Sequence, residues 1–170
     1  MEAQVTDETI IGIQVRGLTL TRPWSAAFDC GKNVENRPKR LLKLPLWLAL
    51  HSGKGWSQDA WDGLTGGAYG QQAWEFFSRL KSDPSGTADF PDSVITHLVL
   101  CDECIDYRFS SYLESNPWAF GPYCWSAKHV IPLQPVPCTG KQGLWRLPPD
   151  VFAAVADQVS HLRSLYPRQA

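Results

Sequence analysis

Behind Gly31, a cation, an anion, an amide and a guanidinium crowd into six residues: Lys32, Glu35, Asn36 and Arg37. In an extended chain the side chains alternate between faces, so Asn33, Glu35 and Arg37 share one side, and Lys32 and Asn36 the other. A bend after Gly31 could still bring Lys32 into the same cleft. A lysine–carboxylate pair can do acid–base work. Arg37 can fork onto a phosphate or a base edge, and it can stack on a base. Glu35 can accept from an exocyclic amine, or hold Arg37 in place as an ion pair. Asn36 offers a donor and an acceptor. His51 ends the apolar run Leu44–His51 and is a titratable group that could assist Lys32 and Glu35. It reads equally as a buried strand residue with its ring nitrogens satisfied.

The charge around this group is lopsided. The chain of 170 residues has a net charge of −1, yet Arg16 to Lys54 holds eight cations against two anions. A basic segment on a near-neutral protein implies a focused anionic partner. Candidate phosphate contacts are Arg22, Lys32, Arg37, Lys39, Arg40 and Lys54. Pro38-Lys39-Arg40 alone also reads as a solvated loop. Eight Trp offer flat apolar faces with a polar handle. Trp24, Trp56, Tyr123 and Trp125 are candidate stacking platforms for bases, with Trp24 also suited to the core. A helix starting near Pro23 would present free N–H groups as a phosphate seat.

Other chemistry is poorly served. Gly53-Lys54-Gly55 lacks the frame of a nucleotide-binding P-loop. Cys101-x-x-Cys104 has metal-like spacing, but a structural zinc needs about four ligands and no second such pair exists. Cys101 reads as a small buried hydrophobe. No metal and no cofactor is implied.

These residues need elements to hold them. Ile10–Arg16 alternates apolar and polar, and Leu18 and Leu20 continue in a second strand-like piece. Thr21 is an N-cap candidate for a short helix from Trp24 to Cys30, stopped by Gly31. Leu44–His51 predicts a strand closed by a turn at Ser52–Gly55. Residues 57–82 carry helical periodicity, and Ser82–Thr87 has loop composition. Val94–Tyr107 and Tyr123–Leu133 predict strands, and Leu144–Leu147 a short one. Pro148-Pro149-Asp150 opens a helix with Val151, Val155, Val159 and Leu162 on one stripe. Residues 1–9 read as a polar, frayed start. Short strands, Gly/Pro turns and flanking helices predict one α+β domain over 1–170, built as a small β-barrel with helical decoration. No apolar run approaches the ~18 residues of a membrane span, and the acidic start is unlike a secretory signal, so a cytoplasmic location is expected.

Three ordered blocks carry a family resemblance: Leu18-Thr19-Leu20-Thr21-Arg22-Pro23-Trp24, Gly31-Lys32-Asn33-Val34-Glu35-Asn36-Arg37 and Leu48-Ala49-Leu50-His51-Ser52-Gly53-Lys54. They resemble the ASCH (activating signal cointegrator homology) domain, a branch of the PUA-like superfamily. The blocks Pro117–Trp125, Pro135–Cys138 and Gly140–Trp145 are similar to the closing part of longer members. Together they cover about residues 12–148, followed by a C-terminal helix over about 149–165. The resemblance implies a PUA-like β-barrel with flanking helices and a cleft between barrel and helix. Relatives on this scaffold bind RNA or DNA, and some read modified bases; some members are nucleases, and one is a small amidohydrolase acting on acylated cytidine. The Lys-x-x-Thr-x-Arg pattern of that hydrolase maps onto Lys32, Glu35 and Arg37, with Glu35 where the nucleophilic Thr would stand.

The expected function is therefore a nucleic-acid-binding module for single-stranded RNA or an unpaired or modified base. The partner would be RNA or DNA, or a free nucleotide or modified nucleoside. Two alternatives are a ribonuclease or modified-nucleoside hydrolase using Lys32, Glu35 and His51, and a protein-interaction module using the Trp-rich surface.

Overall fold

The computed structural model describes residues 8–80 and 89–165. The predicted loop Ser82–Thr87 and most of the frayed start lie outside them. Within them the chain is α+β: a strongly curled half-barrel sheet with flanking helices.

The strands are β1 (Thr9–Ile10), β2 (Ile13–Arg22), β3 (Val34–Arg37), β4 (Leu46–Trp56), β5 (Val94–Cys101), β6 (Cys104–Asp106), β7 (Tyr123–Ser126), β8 (His129–Pro137) and β9 (Leu144–Trp145). The helices are α1 (Trp24–Ala27), α2 (Gln58–Gly66), α3 (Gln71–Ser78), α4 (Pro149–Gln158) and α5 (Leu162–Leu165). The main sheet runs β1-β2-β4-β5-β8, with β9 also on β2; a second sheet runs β3-β7-β6. Among the described residues no helix is long and apolar enough to cross a membrane.

β4 shows why its sequence is a continuous apolar run rather than an alternating one. Leu46, Leu48 and Leu50 enter one core cluster with Leu18, Leu20 and Trp125. Trp47 and Ala49 enter another, with Trp145 and the α4 stripe Val151, Val155 and Val159. A strand covered on both faces has no polar side to show. Each large apolar side chain buried this way contributes about 1.5–3 kcal/mol. A third cluster packs α2 and α3 on β3 and β7 through Trp61, Leu64, Phe77, Trp118 and Cys124.

Two punctuation signals read differently in the fold. Gly53 and Gly55 do not turn the chain; β4 continues through them to Trp56. Their missing side chains let the strand pass close to Thr19 and Thr21, since a Cβ at 53 would lie 3.0 Å from the Thr19 methyl. Gly17 likewise does not divide two strands. β2 runs through it, and a Cβ there would fall inside the Trp145 indole. Gly31 does act as the expected stop, at φ 90°.

Candidate functional site

Two pockets meet at β3. The larger is a cavity of about 650 Å³ walled by Thr19, Arg37, His51, Lys54, Ser93 and the loop 139–143. The smaller, about 230 Å³, is walled by Trp24, Lys32, Glu35, Asn36, Trp118 and Phe120.

The smaller pocket comes from the local Gly31–Arg37 segment. The left-handed bend at Gly31 turns the chain, and the Lys32 amide donates to the Ala27 carbonyl at 3.2 Å. Lys32 Nζ then lies 3.4 Å from Glu35 Oε2, and Arg37 Nε lies 3.2 Å from Glu35 Oε1. Lys32 is 5% exposed, with its ammonium 5.0 Å from the Trp24 ring centre and 5.3 Å from that of Phe28. Ring faces carry negative potential, so they and Glu35 together host a buried cation. Glu35 belongs to one pocket and Arg37 to the other, so their ion pair is the partition.

The larger cavity is built by register. β2 and β4 run parallel with Thr19 opposite His51. β9 pairs antiparallel with β2 at Gly17 and Leu18, so the loop before β9 arrives over Thr19. His51 Nε2 is 2.7 Å from the Cys138 carbonyl, which can only accept. Nε2 therefore carries the proton, and Nδ1 presents its lone pair to Thr19 Oγ1 at 3.3 Å. Arg37, Lys54 and Lys141 stand in the wall, and among the described residues no Asp or Glu does.

The candidates read from sequence separate into groups. Lys32, Glu35 and Arg37 converge as an ion-pair chain. His51 does not join Lys32 and Glu35; it faces the larger cavity, so the expected catalytic trio is not assembled. Lys54 reaches that cavity, whereas Lys39 and Arg40 are exposed outside it, Arg40 lying over the Tyr123 ring at 5.4 Å. Arg22 is a structural tie rather than a phosphate contact: it donates to the Phe90 and Lys54 carbonyls at 3.1 and 2.8 Å. Asn36 cannot read a base edge while it holds the chain. Its Oδ1 accepts from the Phe120 and Gly121 amides and its Nδ2 donates to the Trp118 carbonyl.

Among the aromatics, Trp24 borders the smaller pocket and is half-buried. Trp56 packs with Trp61 and Phe90 instead. Trp125 is 5% exposed and donates to the Lys39 carbonyl, so it is core rather than platform. The helix after Pro23 spans four residues, too short for its dipole to build a phosphate seat. Sequence reasoning missed Thr19, Lys141 and Phe120. For Lys141 a cue existed in its flanking glycines, Gly140 and Gly143.

Cysteine chemistry is quiet. Burial pushes the Cys30 and Cys101 thiols up to about 12, which keeps them protonated and unreactive at neutral pH. Cys101 Sγ donates to the Glu103 carbonyl, and Cys104 Sγ accepts from the Leu41 amide. No group of three His, Cys, Asp or Glu among the described residues is placed to hold a metal ion.

No known family model matches the chain, and no curated protein shows significant similarity to it.

Proposed function

We propose that this chain is a nucleic-acid-binding module of the ASCH type on a PUA-like barrel, taking one nucleotide unit of a single strand across its two pockets. The observation that carries the reading is the larger cavity, whose wall has three cations and no carboxylate among the described residues. Such a wall favours phosphate oxygens, and Arg37 adds a planar fork for them. Among the described residues the cavity wall has no Trp, Tyr or Phe, so it suits the sugar-phosphate rather than the base. The base belongs next door, against Trp24 and the exposed Phe120, where stacking is worth about 1–3 kcal/mol per base. The partner is single-stranded RNA or DNA, or a nucleotide with the same groups. The three sequence blocks that resemble ASCH domains frame these two pockets and support the same reading.

Fluorescence titration of short RNA and DNA oligomers at two salt concentrations tests it. Three phosphate contacts to a single strand predict a slope of log K against log salt near −2. Lys54→Ala with Lys141→Ala should weaken binding and flatten that slope. No binding at low salt, or binding indifferent to the double substitution, refutes the proposal.

A further inference from the structure

The larger cavity holds a hydroxyl and a base that a binding site does not require. We infer that Thr19 and His51 form a nucleophile–base pair that hydrolyses a carboxylic ester carrying a negative charge elsewhere in the molecule. The preference for an anionic substrate rests on the reading of the cavity as an anion site; the pair itself does not.

Three features support it. The first is tautomer: the Cys138 carbonyl fixes the proton of His51 on Nε2, leaving Nδ1 as the acceptor. Thr19 Oγ1, 3.3 Å away, then donates its proton toward that nitrogen, the arrangement that activates a weak hydroxyl nucleophile. The second is orientation. His51 is 3% exposed and lies edge-on to Trp145 at 5.8 Å, so its ring is packed in place. The third is access. Thr19 and His51 both line the larger cavity, and glycine at 140 lets the loop pass close to them without a side chain between, since a Cβ there would lie 2.5 Å from His51 Nδ1 and 2.6 Å from Thr19 Oγ1.

The reaction balances without a cofactor. Thr19 Oγ1 attacks the ester carbonyl carbon while its proton passes to His51 Nδ1. The tetrahedral oxyanion faces the cationic wall, where Lys54 and Lys141 offset its charge. The bond to the alkoxy oxygen breaks, and the imidazolium returns the proton to that oxygen as the alcohol leaves. Water then attacks the acyl-threonine, giving its proton to Nδ1. The acid departs, and Thr19 recovers its hydroxyl hydrogen. Throughout, Nε2–H donates to the Cys138 carbonyl, a neutral acceptor that supports imidazolium less than a carboxylate would. That suits an ester rather than the harder amide.

The test uses the full chain and an alkyl fluorophosphonate, which phosphonylates activated hydroxyls with loss of fluoride and does not need an anionic group. Mass spectrometry of the labelled peptide must separate Thr19 from Thr21 by fragment ions. The expected result is one adduct on Thr19. Thr19→Val should abolish it, Thr19→Ser should retain it, and His51→Gln should slow labelling about 100-fold. Gly140→Ala, whose methyl would press on both groups and force them to shift, should block it. Hydrolysis of nitrophenyl hemisuccinate should exceed that of nitrophenyl acetate. No adduct on Thr19, or an adduct that His51→Gln leaves unchanged, overturns the inference. Oligomer binding measured on the same samples separates the two ideas: binding without labelling removes the catalytic pair alone, and labelling without binding removes the nucleic-acid reading alone.

Discussion

Removing the negative charge of Glu35 while keeping its shape should expose how the smaller pocket is held together. In Glu35→Gln the Lys32 ammonium, 5% exposed, loses the carboxylate 3.4 Å away, and Arg37 loses a partner at 3.2 Å. At an effective dielectric constant near 20, a pair at that separation is worth about 5 kcal/mol before desolvation. Breaking a buried pair from one side costs about 3–5 kcal/mol, because the remaining charge stays in place unpaired. The rings of Trp24 and Phe28 still face the ammonium and return part of that. A net loss of about 3 kcal/mol follows, equivalent to roughly 6–12 °C in Tm for a chain of this size. Lys32→Met removes the buried charge, keeps the apolar stem and leaves Glu35 with Arg37, so it should cost less than about 1.5 kcal/mol. Urea unfolding followed by tryptophan fluorescence measures both. A Glu35→Gln protein within about 0.5 kcal/mol of the parent, or a Lys32→Met protein equally damaged, would show that the pair does not organise this segment.

Two further outcomes follow from the packing. Gly17→Ala should destabilise the protein by at least about 1–3 kcal/mol, because the new methyl enters the space of the rigid Trp145 ring; a thermal melt reads it, and an unchanged Tm contradicts the β2–β9 register. Alkaline pH should unfold the protein through Cys30 and Cys101. Burial holds their neutral forms, with folded values about 12 against an ordinary 9.0. A raised folded value means that the stabilisation is whole below about pH 9 and declines as pH climbs from there toward 12, by about 1.4 kcal/mol per pH unit for each thiol. Urea midpoints between pH 8 and 11 check this, and a Cys30→Ala, Cys101→Ala protein should lose that part of the slope.

What was legible in the sequence was local. The stop at Gly31, the β3 strand, the helical periodicity of α2 and α3 and the α4 stripe all rest on contacts within a few residues, and each stands in the fold. Strand alternation put Lys32 and Glu35 on opposite faces, and it is the bend after Gly31 that brings them within 3.4 Å. The larger cavity was not legible, because long-range register creates it. His51 meets Thr19 through parallel pairing, and Lys141 arrives through the pairing of β9 with β2. Gly53 and Gly55 misled because glycine pairs usually mark turns, whereas here their small size lets two strands approach. Trp125 and Arg22 misled because residue type shows what a side chain can do, not whether the core has already engaged it.

Photo-crosslinking of the full chain to a short RNA carrying 4-thiouridine tests the placement of phosphate and base most directly. The expected result is a crosslink on Trp24 or Phe120, weakened when Lys54→Ala and Lys141→Ala empty the cavity wall of two of its cations. Crosslinks confined to the more exposed Phe109 and Tyr112, or none above a protein control, would contradict it.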